Sequence, residues 1–211
     1  HSRVRRQRQM CIRDSLKLIL NQYTNIDAEV RKTYNLTKTQ IAARPFCLFI
    51  SYSGNTEETI SAAKNAIDKN LEWAAISSGG ELLDLATKHN KKFVKVPDGL
   101  QPRAAFGLMT KAVVNYLPNQ TKKIFINACE EAGNYLNNLT EDASNEVFEI
   151  SKDIANQIGS KTAVIYAGSD LTYLVAQRWK TQINENSKSK AYVGFMPEVH
   201  HNEILLSLIH I

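Results

Sequence analysis

A chain of 211 residues can bury a substantial core, enough for one large domain or two small ones. Its 43% hydrophobic and 22% charged content is that of an ordinary globular protein, and no apolar run approaches the ~20 residues that cross a bilayer. The net charge of +5 is local: Arg3, Arg5, Arg6, Arg8 and Arg13 stand against Asp14 alone, and the remainder is near neutrality.

Read literally, residues 1–15 form a basic arm for nucleic acid or membrane. They are no secretory signal, because no apolar stretch follows the arginines. The run has no periodicity and joins a helical pattern abruptly at Leu16, and the end, 206–211, is equally abrupt. Both read as translated adapter sequence and are set aside, so nucleic-acid binding and membrane binding lose their support. Cys11, Cys47 and Cys129 lie far apart with no metal-ligand spacing, as reduced thiols of a cytoplasmic protein do.

From Leu16 the chain reads as the end of a helix to Tyr23, then a short strand over 29–33. The apolar run Phe46-Cys47-Leu48-Phe49-Ile50 predicts a buried strand, and the helical spacing after it runs to about Lys69. A strand over 72–76 ends in Ser77-Ser78-Gly79-Gly80, a turn rather than a nucleotide loop. A helix to His89, a strand over 92–96 stopped by Pro97, and a helix from Arg103 to Tyr116 follow. Such βα alternation predicts a parallel sheet covered on both faces. Residues 121–160 carry only helical stripes, with Leu136, Leu139, Ile150 and Ile154 among them. A second α/β unit opens with a strand at Ala163–Gly168, a long helix from Leu171 to Asn184 and a strand at Ala191–Phe195. It is too short to close a sheet of its own. The expected organisation is 16–120 for the first unit, 121–160 for a helical connection and 161–205 for the truncated second unit, the chain being a fragment.

The turn Ser51-Tyr52-Ser53-Gly54-Asn55-Thr56 lies between a strand and a helix. Amides at a helix start and the helix dipole favour an anion there. Ser51, Ser53 and Thr56 add hydroxyls, and Gly54 admits a close backbone approach. No lysine follows the glycine, so the turn suits a sugar phosphate better than a nucleoside triphosphate. The plainer reading is a connection in which Asn55 caps the helix and Glu58 completes a capping box, and both can hold together.

Four stretches carry a family resemblance. Ser51–Thr59 resembles the sugar-phosphate loop of sugar isomerase (SIS) domains. Pro102-Arg103-Ala104-Ala105-Phe106-Gly107 resembles the arginine motif of bifunctional phosphoglucose/phosphomannose isomerases. Residues Arg178 to Asn186 are similar to the helix end before that family's catalytic segment, and Pro197-Glu198-Val199-His200-His201-Asn202-Glu203 to the segment itself. The resemblance implies an α/β fold of SIS-type parallel sheets flanked by helices, two units in tandem with the second truncated. It implies a homodimer with active sites at the subunit interface, hexose 6-phosphate as ligand and no cofactor. Full members carry a glycine- and serine-rich loop before the first helix and continue well past Glu203, so activity of this fragment does not follow.

Aldose–ketose isomerisation passes through an enediolate and needs a base at C2, a cation for the enediolate oxygens, help in ring opening and a phosphate anchor. The resemblance assigns Glu203 as base and Arg103 as cation. A guanidinium stays charged and can hold two adjacent oxygens at once. His201 is the candidate for ring opening, since both its charge states are accessible near neutral pH. Ser51, Ser53, Gly54, Asn55 and Thr56 anchor the phosphate. Glu198, His200 and His201 lack the spacing of a helical metal site, and no metal is expected. The alternative is a regulatory module that binds a sugar phosphate on the same fold without chemistry.

Overall fold

The computed structural model describes residues 14, 16, 17, 20, 21, 25–31, 33–102, 104–141 and 146–201. They belong to two compact units, His1–Cys129 and Glu130–Ile211.

In the first unit the order is α1 (Lys38–Ala42), β1 (Cys47–Ile50), α2 (Glu57–Asp68), β2 (Trp73–Ser77), α3 (Gly80–Lys88), β3 (Phe93–Lys95) and α4 (Phe106–Val113), the last tightening into a 3₁₀ turn at Val114–Tyr116. The sheet is parallel in the order β1-β2-β3. Cys47 stands opposite Trp73, Ile50 opposite Ile76, and Ser77 opposite Lys95. All five residues of β2 are buried, as expected of a central strand covered on both faces.

Alternation along the strands sorts the core into two layers. Phe49, Trp73 and Ala75 meet Ala63 and Ala66 of α2 and Leu82 and Ala86 of α3. Ile50 and Ile76 meet Met109 and Val113 of α4, together with Val96 and Phe125. Alanines at 0% exposure on α2 and α3 let both helices settle closely on the sheet. Burying Trp73 and Ile76 contributes about 2–3 kcal/mol each. Both helices end alike. Asn70 and Asn90 take left-handed backbone at φ 51°, while Leu71 and Lys91 return their amides to Ala66 and Ala86 at 3.0 and 2.8 Å. Those bonds close Schellman caps over carbonyls that would otherwise lack partners.

Residues 29–31 and 33 are not in a strand, contrary to the expectation for 29–33. Residues 25–31 do alternate exposed and half-buried, as an extended segment does, but they enter no ladder. Side chains hold the stretch instead: Glu29 pairs with Arg31 at 2.5 Å and accepts from Gln40 Nε2 at 2.6 Å. Alternation marks an extended backbone. Pairing needs a partner that sequence pattern does not report.

Helix α5 (Asn119–Glu141) runs across the division between the units. The second unit continues with α6 (Glu146–Ile158), β4 (Ala163–Ala167), α7 (Asp170–Gln182), a π turn at Ile183–Ser187 and β5 (Ala191–Phe195). Ser169 caps α7 reciprocally: its hydroxyl accepts the Thr172 amide at 3.3 Å, and Thr172 Oγ1 accepts the Ser169 amide at 2.9 Å. β4 and β5 pair in parallel, Ala163 opposite Ala191 and Ala167 opposite Phe195. Asn184 Oδ1 takes the Ala191 amide at 2.9 Å and joins the π turn to the start of β5. The chain is thus α/β with parallel sheets and covering helices.

Candidate functional site

Parallel strands deliver their following loops to one edge of a sheet, the edge at which open α/β proteins bind ligands. In the first unit the loops after β1 and β2 interlock there. Ser51 is fully buried, and its hydroxyl meets Thr56 Oγ1 at 2.8 Å and accepts the Gly54 amide at 3.1 Å. Ser53 lies exposed and accepts the Asn55 amide at 3.3 Å. From the neighbouring loop, Ser78 donates its amide and hydroxyl to the Tyr52 carbonyl at 2.9 and 2.6 Å. The Ser77 hydroxyl, also fully buried, donates to the Gly79 carbonyl at 2.8 Å.

Two glycines make this approach possible. Gly54 has φ +69°, and a Cβ there would overlap the Gly79 carbonyl oxygen. Gly80 has φ +73°, and a Cβ there would come within 2.6 Å of Asn55 Oδ1. Both the backbone angle and the space exclude a side chain.

The capping expectation needs correction. Helix α2 begins at Glu57 with Thr56 at the cap position, and no side chain caps it. Asn55 does not close α2 and Glu58 completes no box. Asn55 Oδ1 instead accepts the Glu81 amide at 3.0 Å, in the first turn of α3. The physical reason is that Gly79, at the cap position of α3, has no side chain of its own. The start of α2 is therefore left with backbone amides and the hydroxyls of Ser51, Ser53 and Thr56 around it, a cradle suited to an anion.

Ser51, Ser53, Gly54, Asn55 and Thr56 thus share one ordered loop. Arg103 lies outside the described residues. Helix α4 begins at Phe106, three residues later than expected. Glu203 also lies outside the described residues. His201 belongs to the second unit, exposed on a helical turn that starts at Glu198. Val199 in that turn is 3% exposed and seats against Gly194 of β5, where a Cβ would come within 2.6 Å of the valine. This anchors the turn at the carboxyl end of β5.

Three kinds of residue were passed over in the sequence. Ser77 and Ser78 repeat the strand, hydroxyl turn, helix pattern of Ser51, and that repetition is their signal. Tyr52 stands among polar loop residues, yet it is 7% exposed. Glu185 is a carboxylate at 9% exposure on the π turn. Single π turns inside helices occur frequently at functional sites. Its signal was a charged residue placed where the apolar period of α7 breaks off.

Residues 149–208 match the family described as bacterial phospho-glucose isomerase C-terminal SIS domain. Several relatives named bifunctional phosphoglucose/phosphomannose isomerase match more of the chain. That of Aquifex aeolicus is 40% identical over 160 residues, 76% of this chain and 46% of its own length. The D-glucosamine-6-phosphate 4-epimerase of Sulfolobus acidocaldarius is 32% identical over 180 residues, 83% of this chain and 55% of its own. A solved glucosamine-6-phosphate deaminase from Thermotoga maritima is similar with a TM-score of 0.54 and 14% identity, covering 96% of this chain and 61% of that one, a likeness of fold alone. The chain spans about half the length of the relatives it matches. The family match in the second unit, the identity across both units and the four motifs in order agree: the chain belongs to the bifunctional phosphoglucose/phosphomannose isomerase family of SIS-domain proteins.

Proposed function

We propose that the chain is part of an aldose–ketose isomerase interconverting glucose 6-phosphate, mannose 6-phosphate or both with fructose 6-phosphate. The observation that carries this reading is the uncapped start of α2 beside Ser51, Ser53 and Thr56, locked against a second serine turn. Phosphate held there fixes one end of the open-chain sugar. A base then removes the C2 proton, and the resulting enediolate is common to glucose and mannose, which differ at C2. Arg103 is assigned to the enediolate oxygens by resemblance, and His201 is carried forward as the ring-opening candidate. For the base, resemblance assigns Glu203. The burial of Glu185 on a π turn supports it as a second candidate. The partners in this reading are a hexose 6-phosphate and a second copy of the chain, not nucleic acid or a membrane. Exposed Val164, Tyr166 and Tyr192 on the β4–β5 sheet support a further interface. The setting is glycolysis and gluconeogenesis in the cytoplasm; among the described residues no helix is long and apolar enough to cross a membrane.

The test is exchange of solvent deuterium into C2 of glucose 6-phosphate by a protein extended to the length of the relatives. Glu203→Gln and Glu185→Gln are made separately in it. The base is the carboxylate whose amide abolishes exchange while fructose 6-phosphate affinity stays within a few-fold. Exchange at the parental rate in both variants removes both assignments. Binding without any exchange in the parent makes the protein a regulatory binding module.

A further inference from the structure

We propose that Tyr52 is a positioning residue that holds the loop after β3 in register with the two serine turns, and that it governs recognition of the sugar end of the ligand rather than of its phosphate. The argument rests on the sugar-phosphate reading above and deepens it.

Tyr52 touches three loops at once. Its backbone lies in the loop after β1, between Ser51 and Ser53. Its carbonyl accepts from the loop after β2: the Ser78 amide at 2.9 Å, the Ser78 hydroxyl at 2.6 Å and the Ser77 hydroxyl at 3.2 Å. Its phenol reaches the loop after β3, donating to the Pro97 carbonyl at 3.1 Å and accepting the Leu100 amide at 2.9 Å. Those partners are 45 and 48 residues away in sequence.

The ring sits in the core layer of Ile50, Ile76, Val96 and Met109, a place a phenylalanine would fill equally well. Packing therefore does not account for the hydroxyl. What the oxygen adds is a two-sided clamp on backbone that has no regular structure and turns through Gly99 at φ +85°. The clamped loop runs directly on to Arg103, the cation assigned to the sugar oxygens. The phosphate cradle is held separately, by Ser51 with Thr56 and by Asn55 with Glu81. Removal of the phenol oxygen should release the loop that leads to Arg103 and leave the cradle intact.

The experiment uses Tyr52→Phe in the protein extended to the length of the relatives, the form in which the proposed function is tested. Amide hydrogen exchange at Leu100 should accelerate about tenfold, the scale of one lost hydrogen bond. Exchange at Leu82, whose amide donates to the Gly54 carbonyl at 3.0 Å inside the cradle, should not change. By calorimetry, affinity for inorganic phosphate should stay within about twofold while that for fructose 6-phosphate falls about fivefold or more. Leu100→Pro, which deletes the N–H from the other side of the clamp, should give the same split between the two ligands. Unchanged Leu100 exchange, equal acceleration of Leu100 and Leu82, or equal weakening of both ligands overturns the proposal. If the parent binds no sugar phosphate, the functional reading fails and takes the recognition claim with it, while the exchange measurement still decides whether Tyr52 is a local clamp.

Discussion

Asn55 Oδ1 accepts the amide of Glu81 at 3.0 Å, so a residue in the loop after one strand caps the helix that follows the next. Loss of a capping side chain typically destabilises by about 1 kcal/mol. Asn55→Ala should lower the unfolding free energy by that amount, read as a lower urea midpoint with an unchanged denaturant slope. An unchanged midpoint would show that the contact contributes nothing to stability.

Gly54→Ala should be far more damaging. Left-handed backbone costs a side chain about 1–2 kcal/mol, and forcing atoms apart in a packed site adds about 1–3 kcal/mol. The expected loss is about 3 kcal/mol in equilibrium unfolding, accompanied by loss of phosphate binding. A stable variant that binds phosphate normally would refute the interlocked geometry of the two turns.

Ser53 is the exposed hydroxyl of the cradle. Ser53→Ala should leave the melting temperature unchanged and weaken binding of inorganic phosphate by about 1–2 kcal/mol, the scale of one charge-assisted hydrogen bond. Calorimetry against phosphate reads this directly, and unchanged affinity would remove Ser53 from the anchor.

Burial pushes the Tyr116 phenol up to about 12, and its hydroxyl donates to the Ala75 carbonyl of β2 at 3.1 Å. The folded state thus keeps a proton that the unfolded chain sheds near 10, the ordinary tyrosine value. Its stabilising effect is whole below that pH and is lost as pH rises through about 12. Tyr116→Phe should flatten that part of the stability profile, as measured by urea midpoints at stepped pH. A profile as steep as the parent's would contradict the assignment.

Cys47 is buried, and burial raises its thiol pKa, whereas Cys129 is half-buried. Reactive thiolate should therefore be scarcer at Cys47. Timed alkylation read by peptide mass spectrometry should label Cys129 first; the reverse order would contradict the packing of β1.

Much of the first unit was legible because apolar runs at Phe46–Ile50, Trp73–Ile76 and Phe93–Val96 are each followed by turn residues and a helical period. The connection from β1 to α2 was legible for the same reason. The role of Asn55 was not, because its partner lies 26 residues away, and capping rules look only along the chain. The supposed strand at 29–33 failed for a related reason: alternation specifies backbone extension, while a ladder is a tertiary fact. Glu185 was overlooked because a π turn has no sequence signature comparable to a glycine cap or a proline stop. Resemblance, not physics, singled out Arg103 and Glu203, whose sequence context alone describes two solvated residues.

The paired asparagine caps bear on how this protein could be made sturdier. Asn70 and Asn90 sit at the amino edge of the first sheet, opposite the edge that carries the serine turns. Stabilising changes in many enzymes compete with activity because both draw on the same strained residues. Here the left-handed positions available for glycine lie a full strand length from the anion cradle. Asn70→Gly and Asn90→Gly would relieve backbone strain at the sheet edge away from the serine turns, so thermal endurance can be adjusted without touching the anion cradle.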